Sequence, residues 1–382
     1  MQATIHRSAS EPAMSNPAIE LFRRARSRRD LVRDLRDLGI ATVALSLPPA
    51  RARAAEEVTY YTWAGYDVPE MHFRYNEMRG ALPNFALFAD ESEALTKIRS
   101  GFTPDISHPC IYDIGRWQAA GVIQPIDSAR LIEWDNIFPA LKQVSGNQET
   151  GEQWLIPFDW GNGSVLYRTD LVTMEEESWS VLFDERYAGK IAMWDAIDGA
   201  ANAAALVAGV QDPFNMTDEE LSVVRGLLER QNRLLRFYWT DPAQAEQALA
   251  SGEIVAAYTW NASLVNLELQ GIPVKYMQPK EGILTWVCGM VLMNDGAADE
   301  AARYDFMNAM LAPETGEWLI TNYGYGHSNR VAFDLVGAEG AAAMGLPANP
   351  ADMFANSVVL RPMDPAVRQK YIEMFEQVKA GL

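Results

Sequence analysis

Segments of strand type and helix type alternate along residues 58–330. Short runs rich in β-branched and aromatic residues, such as residues 58–63 and 254–261, are separated by polar segments with apolar residues at helical spacing, such as residues 69–78 and 298–311. This alternation favours βαβ units and a mostly parallel sheet. Because 382 residues are too many for one hydrophobic core, the sequence predicts an α/β fold with two lobes.

The middle of the chain indicates two strands separated by glycine. Residues 154–160 predict a strand that enters a glycine-rich loop at Gly161 and Gly163, and residues 164–167 predict that a strand resumes. Residues 103–110 predict another strand, which ends with the sequence His-Pro-Cys.

The first 54 residues differ from the remainder in charge. They carry ten Arg and five Asp or Glu, so the remaining chain carries 24 net negative charges compared with 19 for the whole chain. The basic segment precedes an apolar run at residues 38–47, which is too short to span a membrane, and then small residues at 52–55. Residues 27–33, Ser-Arg-Arg-Asp-Leu-Val-Arg, resemble the twin-arginine export motif. We expect residues 1–54 to be removed on export to the periplasm, with a retained basic tail as the alternative.

The strongly acidic remainder repels nucleic acid and attracts cations, so we expect no nucleic-acid partner. The sequence contains neither the glycine fingerprint of dinucleotide binding nor a P-loop, and it has no Gly-x-Ser-x-Gly motif. These absences disfavour nucleotide chemistry and serine hydrolysis, and we expect no cofactor.

Four residues are suitable metal ligands: His108, Cys110, Cys288 and His327. Only His108 and Cys110 are close in sequence, whereas zinc sites usually draw on two closely spaced pairs. We therefore expect no metal site.

Nine aromatic residues fall at or just beyond a predicted strand end, or in a loop. They are Trp63, Tyr66, Tyr112, Trp160, Trp194, Trp239, Trp260, Trp286 and Tyr325. Ligands bind beyond the carboxyl ends of the strands in open α/β sheets. Aromatic walls in an acidic protein suit an organic cation, through the ring quadrupoles and the exclusion of water. Ordinary packing is the alternative for about half of these residues, Trp194 and Trp239 above all.

Six motifs in chain order carry a resemblance to a known family. They are residues 61–66 (Tyr-Thr-Trp-Ala-Gly-Tyr), 121–127 (Gly-Val-Ile-Gln-Pro-Ile-Asp), 156–161 (Ile-Pro-Phe-Asp-Trp-Gly), 260–263 (Trp-Asn-Ala-Ser), 279–282 (Pro-Lys-Glu-Gly) before Trp286, and 324–325 (Gly-Tyr) followed by Asn329. Together they resemble the periplasmic solute-binding proteins of spermidine/putrescine-type ABC importers, over residues 60–382.

The resemblance implies two α/β lobes, each a mostly parallel sheet flanked by helices, joined by crossing hinge strands. The ligand is clamped between the lobes in this type of periplasmic binding protein. The implied organisation is a first part of lobe 1 at residues 55–158, lobe 2 at 159–286, a second part of lobe 1 at 287–330, and C-terminal helices at 331–382 that pack across the lobes.

The resemblance also implies site residues. The family's ligand-stacking aromatics correspond to Trp63, Tyr66, Tyr112, Trp260, Trp286 and Tyr325, and Cys110 stands where a polar pocket residue is usual. Members that bind polyamines place an acid where this chain has Cys288, and the acidic pair of their second lobe aligns near Ala196 and Gly199. We expect Trp160 to join the site and one or two carboxylates among Asp159, Asp195 and Asp198 to pair with the ligand. Since both cysteines correspond to pocket positions, we expect them to lie close together, as a disulfide or as two thiols.

The sequence thus predicts a monomeric, non-enzymatic receptor that delivers a small organic cation to the membrane permease of an ABC importer. The expected ligand is a polyamine of the putrescine/spermidine class or a related amine, amidine or quaternary ammonium. Two alternatives on the same fold stay open: a thiamine-cleaving enzyme that uses Cys110 as its nucleophile, and a ligand-sensing subunit of a membrane receptor.

Overall fold

Strand β1 (Thr59–Trp63) lies inside a small parallel sheet, with β2 (Asn84–Phe88) on one side and β3 (Ile106–Ser107) on the other. The computed structural model describes residues 57–144, 152–347, 349, 352, 354 and 357–382. The predicted export signal, residues 1–54, lies outside the described residues. No helix within the described part of the chain is long and apolar enough to cross a membrane.

Strand β10 (Ile283–Met293) connects two sheets. At its carboxyl end it pairs antiparallel with β3, so that Val291 lies opposite Ser107, and it also pairs with β4 (Ile123–Gln124). Over most of its length it pairs antiparallel with β5 (Ile156–Arg168), which leads into the second sheet. The strand order is β2-β1-β3-β10-β5-β8-β6-β7.

The second sheet is parallel at its outer part. β6 (Ile191–Trp194) is parallel to both β7 (Leu235–Trp239) and β8 (Ala256–Trp260), and β8 is antiparallel to β5. The shorter strands are β9 (Val274–Tyr276) and β11 (Gly326–His327), which pair with β5, and β12 (Ser357–Val359), which pairs with β10. The protein therefore has the two-lobed α/β fold that was predicted.

The predicted interruption of β5 by a glycine loop is wrong, because β5 continues through Gly161 and Gly163 without a break. Gly161 and Gly163 are instead required for the packing of side chains against β5. A Cβ at Gly161 would lie 2.6 Å from the Trp286 ring, and a Cβ at Gly163 would overlap the Tyr258 ring. The two glycines let aromatic rings lie directly against the strand backbone.

Strand β3 is shorter than predicted. The prediction covered residues 103–110, whereas only Ile106–Ser107 form the strand and Cys110 makes an isolated bridge to Cys288. Pro104 and Pro109 have no N–H to donate to a ladder, which limits the strand on both sides.

The α-helices connect the strands and cover the sheets. In chain order they are α1 (Phe73–Arg79), α2 (Glu91–Arg99), α3 (Ile114–Ala119), α4 (Pro139–Val144), α5 (Ile197–Val207), α6 (Asp218–Leu234), α7 (Pro242–Ser251), α8 (Asn261–Leu269), α9 (Glu300–Leu311), α10 (Pro313–Tyr323), α11 (Arg330–Ala343) and α12 (Pro365–Ala380). Short 3₁₀ helices lie at Pro69–His72, Ser128–Arg130, Trp134–Asn136, Trp179–Phe183 and Glu185–Tyr187.

Local sequence explains several helix starts. The Asp90 carboxylate accepts from the backbone N–H groups of Ser92 and Glu93 and so caps α2. Thr217 and Glu220 form a reciprocal capping box at the start of α6. Asp241 caps α7, in which Pro242 takes the first position, where a missing N–H costs nothing.

Candidate functional site

A cavity of about 120 Å³ opens among the strand ends, and nine of its nineteen lining residues are aromatic. Its lining residues are Trp63, Ala64, Gly65, Tyr66, Cys110, Tyr112, Trp194, Pro242, Glu246, Tyr258, Trp260, Ala262, Ser263, Asn266, Trp286, Cys288, Tyr323, Tyr325 and Leu360. The volume is several times that needed for one water molecule, so a small organic molecule fits.

Strand direction explains why these aromatics meet. Trp63 is the last residue of β1, and Tyr112 follows β3, which is parallel to β1. Trp194 and Trp260 are the last residues of the parallel strands β6 and β8 in the other sheet. The carboxyl ends of both sheets therefore supply opposite walls of one cavity.

The tryptophan rings contact one another edge to face. The Trp260 ring lies 6.1 Å from the Trp63 ring and 5.2 Å from the Trp194 ring, centroid to centroid. The Trp63 indole Nε1 donates to the carbonyl oxygen of His108 at 2.9 Å, which fixes that ring in place. Trp194, one of the two residues for which ordinary packing was the foremost alternative, lines the cavity as well.

Tyr66 follows a turn that only glycine adopts without strain, since Gly65 has a φ of 94°. Its hydroxyl donates to the Asp159 carboxylate, and the other oxygen of Asp159 lies 2.9 Å from Nε2 of His108. Burial, followed by the nearby charge of Asp159, raises the pKa of Tyr66 well above its ordinary value. Asp159 thus orients Tyr66 and does not itself line the cavity.

The two cysteines form a disulfide at the cavity wall, which confirms the expectation that they lie close together. Their Cα atoms are 3.7 Å apart, and the residues lie directly opposite each other on antiparallel segments. Backbone hydrogen bonds flank the pair, from Ile111 N to Val287 O at 2.9 Å and from Gly289 N to Pro109 O at 3.0 Å. The site thus has sulfur where a polyamine-binding relative was expected to have a carboxylate.

Two of the three candidate carboxylates are engaged in ion pairs outside the cavity, which corrects the sequence-based expectation. Asp195 Oδ1 lies 2.6 Å from Nζ of Lys379, and Asp198 receives two hydrogen bonds from Arg368 at 2.8 and 2.7 Å. Neither residue lines the cavity. Their negative charges are already balanced by cations from α12.

Trp160 is also outside the cavity and is fully buried, in disagreement with its predicted place in the site. Its ring stacks on Phe333 at 6.2 Å, and its Nε1 donates to the carbonyl oxygen of His327 at 3.3 Å. Trp239 is fully buried too, with its Nε1 donating to the carbonyl oxygen of Tyr258. Packing accounts for both.

Sequence reasoning missed Glu246, which lies on α7 and lines the cavity. Its Oε1 accepts from the Ser263 hydroxyl at 2.8 Å, and Asn266 Nδ2 lies 3.2 Å from both of its oxygens. Burial raises the pKa of the Glu246 carboxyl. The sequence did contain an indication of this position. Glu246 lies one helical turn after Pro242, which also lines the cavity, and both are on the helix that follows the aromatic end of β7.

A metal centre finds no support in this arrangement. Among the described residues, no group of three or more His, Cys, Asp or Glu is placed to hold a metal ion. His108 is held between Thr62 Oγ1 and Asp159, while Nε2 of His327 lies 3.0 Å from the Met310 carbonyl oxygen.

Several curated relatives are named as periplasmic binding proteins. Over 364 residues the chain is 25% identical to the putrescine-binding periplasmic protein PotF of Escherichia coli (strain K12), a match that covers 90% of this chain and 97% of the relative.

Solved structures share the fold. The spermidine/putrescine ABC transporter substrate-binding protein PotD from Streptococcus pneumoniae aligns with a TM-score of 0.66 and 22% identity, over 85% of this chain and 99% of that one. The periplasmic binding protein MotA from A. tumefaciens B6, in complex with glucopine, aligns with a TM-score of 0.70 and 19% identity, over 85% and 99%.

The family model for bacterial extracellular solute-binding proteins matches residues 89–348, which is more than half of the chain. That match begins just after β2 and extends beyond α11, so it includes the strands from β3 to β11 and most of the cavity wall. The chain belongs to the family of bacterial extracellular solute-binding proteins.

Proposed function

We propose that this protein is the exported ligand-binding component of an ABC importer and that it binds a small organic cation in the aromatic cavity. One observation carries the proposal: rings from both sheets surround a space that also contains a carboxylate. Aromatic faces attract cations, most strongly where water is excluded. The 24 net negative charges that remain after residues 1–54 are removed add a long-range attraction for positively charged ligands.

The relatives support a cationic ligand of the amine class. PotF is named for putrescine, and the pneumococcal structure is named for spermidine and putrescine. MotA holds glucopine on the same fold, so the fold does not select the ligand by itself. The residues of the cavity wall must therefore determine which class of ligand binds. In this chain they include aromatic residues such as Trp63, Trp260 and Trp286.

The disulfide favours binding over thiol chemistry. A thiamine-cleaving enzyme on this fold would need a free Cys110 thiolate as its nucleophile. Cys110 is bonded to Cys288, and neither sulfur carries a proton to lose. We propose a monomeric receptor without catalytic activity that delivers its ligand to a membrane permease.

Calorimetry of the purified protein tests the binding proposal. Putrescine, spermidine, agmatine and choline are titrated in turn, and we expect saturable binding of at least one organic cation. Trp260→Ala is expected to weaken that binding by roughly 10-fold or more, since a ring that contacts a desolvated cation contributes about 2 kcal/mol. Trp134→Ala is a matched control, because Trp134 lies outside the cavity. A folded protein that binds no cation overturns the proposal.

Cell fractionation tests the export proposal. Residues 27–33 are proposed to direct twin-arginine export to the periplasm. We expect the wild-type protein in the periplasmic fraction and the Arg28→Lys/Arg29→Lys variant in the cytoplasm. Equal export of both proteins overturns this part of the proposal.

A further inference from the structure

Glu246 is the one carboxylate among the described residues that line the cavity. Ser263 and Asn266 hold its carboxylate in place from the neighbouring helix α8. Within the described part of the chain, no Lys, Arg or His nitrogen lies within ion-pairing distance of it. Glu246 is thus a positioned negative charge that has no cation of its own.

The other acidic groups near the cavity already have partners. Asp159 accepts from Tyr66 and contacts His108, Asp195 pairs with Lys379, and Asp198 pairs with Arg368. None of these three carboxylates lines the cavity. A ligand inside the cavity therefore meets one anionic group.

Apart from Ser263, Asn266 and the tyrosine hydroxyls, which carry no charge, the remaining wall offers apolar and aromatic surface. Cys110 and Cys288 contribute a disulfide, which carries no charge and no N–H or O–H donor, and Leu360 contributes an alkyl group. An ammonium placed against this surface would lose its hydration without gaining a carboxylate. A cation–π contact offsets only part of that penalty.

We propose that the site selects organic monocations, with one ammonium N–H donating to Glu246 and an uncharged alkyl or aryl body held between the rings. Diamines of the same length bind more weakly, because their second ammonium finds no carboxylate. This inference rests on the proposed function and narrows its ligand class from amines in general to monoamines.

Butylammonium and putrescine are matched probes, since both have a four-carbon chain and they differ in the second ammonium. Calorimetry of the wild-type protein is expected to show butylammonium binding at least 10-fold more tightly than putrescine at pH 7. This comparison uses only the wild-type protein, so its result does not depend on whether a variant folds.

Glu246→Gln removes the charge and keeps a side chain of the same size between Ser263 and Asn266. We expect it to weaken butylammonium binding by roughly 10- to 100-fold, the value of a hydrogen bond to a charged group. Glu268→Gln is the matched control, because the substitution removes the same charge. Glu268 is exposed and lies on the same helix as Ser263 and Asn266. We expect it to change the affinity by less than about threefold.

The outcomes separate the two proposals. Putrescine binding as tightly as butylammonium, with Glu246→Gln leaving both affinities unchanged, overturns the monocation inference and leaves cation binding intact. A wild-type protein that binds neither probe nor any other organic cation overturns the proposed function, and the inference falls with it.

Discussion

Arg368 and Asp198 form a buried, bidentate ion pair, with Nη1 2.8 Å from Oδ1 and Nη2 2.7 Å from Oδ2. The same guanidinium places Nε 3.1 Å from the carboxylate of Asp113. Asp113 precedes α3, beside the first sheet, while Asp198 lies on α5, beside the second. A single arginine from the C-terminal helix therefore pairs with acids from both parts of the fold.

Replacing Arg368 with Met is expected to lower the free energy of unfolding by about 3–5 kcal/mol. The substitution leaves the Asp198 carboxylate buried without its cation, which is the costly way to break a buried pair, while Asp113 keeps its ion pair with Arg116. Urea unfolding followed by circular dichroism measures the change. Arg361→Met is the control, because its pair with Asp212 is exposed and such pairs contribute at most about 1 kcal/mol. Equal losses in the two variants would contradict a stabilising role for the buried network.

The sequence located Asp198 but not its partner, and the reason is physical. Arg368 is 170 residues away along the chain, and Lys379 is 184 residues from Asp195. Strand and helix patterns are local, so they do not reveal that α5 and α12 pack together. Both aspartates were therefore assigned to the ligand, although α12 already neutralises them.

Part of the aromatic wall was predictable because strand direction places it. Any aromatic residue at the carboxyl end of a parallel strand reaches the same edge of the sheet, so Trp63 and Trp260 follow from local sequence. Glu246 lies on a helix, where the side that faces the cavity is set by packing against α8. Helical periodicity alone does not show which residues of that helix face the cavity.

Removing the disulfide is expected to destabilise the protein by about 2–5 kcal/mol. The bond joins Cys110 to Cys288, which are 178 residues apart, so its loss frees a long loop in the unfolded chain. Urea unfolding of the Cys110→Ala/Cys288→Ala variant, compared with the oxidised wild type, measures the loss. Reductant should lower the stability of the wild type and leave the variant unchanged. An effect of reductant on the variant would mean that another process is being measured.

Substituting Ala for Gly161 is expected to weaken ligand binding and to cost about 1–3 kcal/mol of stability. The new Cβ would lie 2.6 Å from the Trp286 ring and 3.1 Å from Oδ1 of Asn261. Because Trp286 lines the cavity, moving its ring changes the shape of the site. Calorimetry with the cation that the wild type binds, together with urea unfolding, measures both effects.

Gly226→Ala is the control for that substitution. Gly226 lies in α6, where an added Cβ would have no neighbouring atom within 4 Å, and Ala is the better helix former by about 0.5–1 kcal/mol. It should stabilise the protein slightly and leave ligand affinity unchanged. If Gly161→Ala behaved in the same way, close packing of Trp286 against β5 would not matter for binding.

Cation affinity is expected to fall as the pH is lowered, and the fall should begin above the ordinary carboxyl pKa of 4.5. Burial raises the pKa of Glu246, the charge of Asp241 adds to this, and the hydrogen bonds from Ser263 and Asn266 oppose it. A cation pairs with the ionised carboxylate, so protonation of the empty site competes with binding and costs roughly 10-fold in affinity per pH unit below the raised pKa. Tyr323 also faces Glu246, but burial raises its pKa to about 12, so it stays neutral in this range.

The contribution of Glu246 to folding stability changes with pH in the opposite direction to cation affinity. Loss of binding can therefore be distinguished from acid unfolding. A carboxyl whose pKa is raised by folding stabilises the fold at low pH, and that contribution disappears as the pH rises through the raised pKa. Protonation of Glu246 therefore weakens binding without unfolding the protein. Calorimetry between pH 4 and 8, with circular dichroism at each pH, should show weaker binding by a folded protein at the acid end. Glu246→Gln should have a much flatter profile, because no proton competes with the cation at a Gln. A wild-type pH profile that persists in Glu246→Gln would assign the titration to a different group.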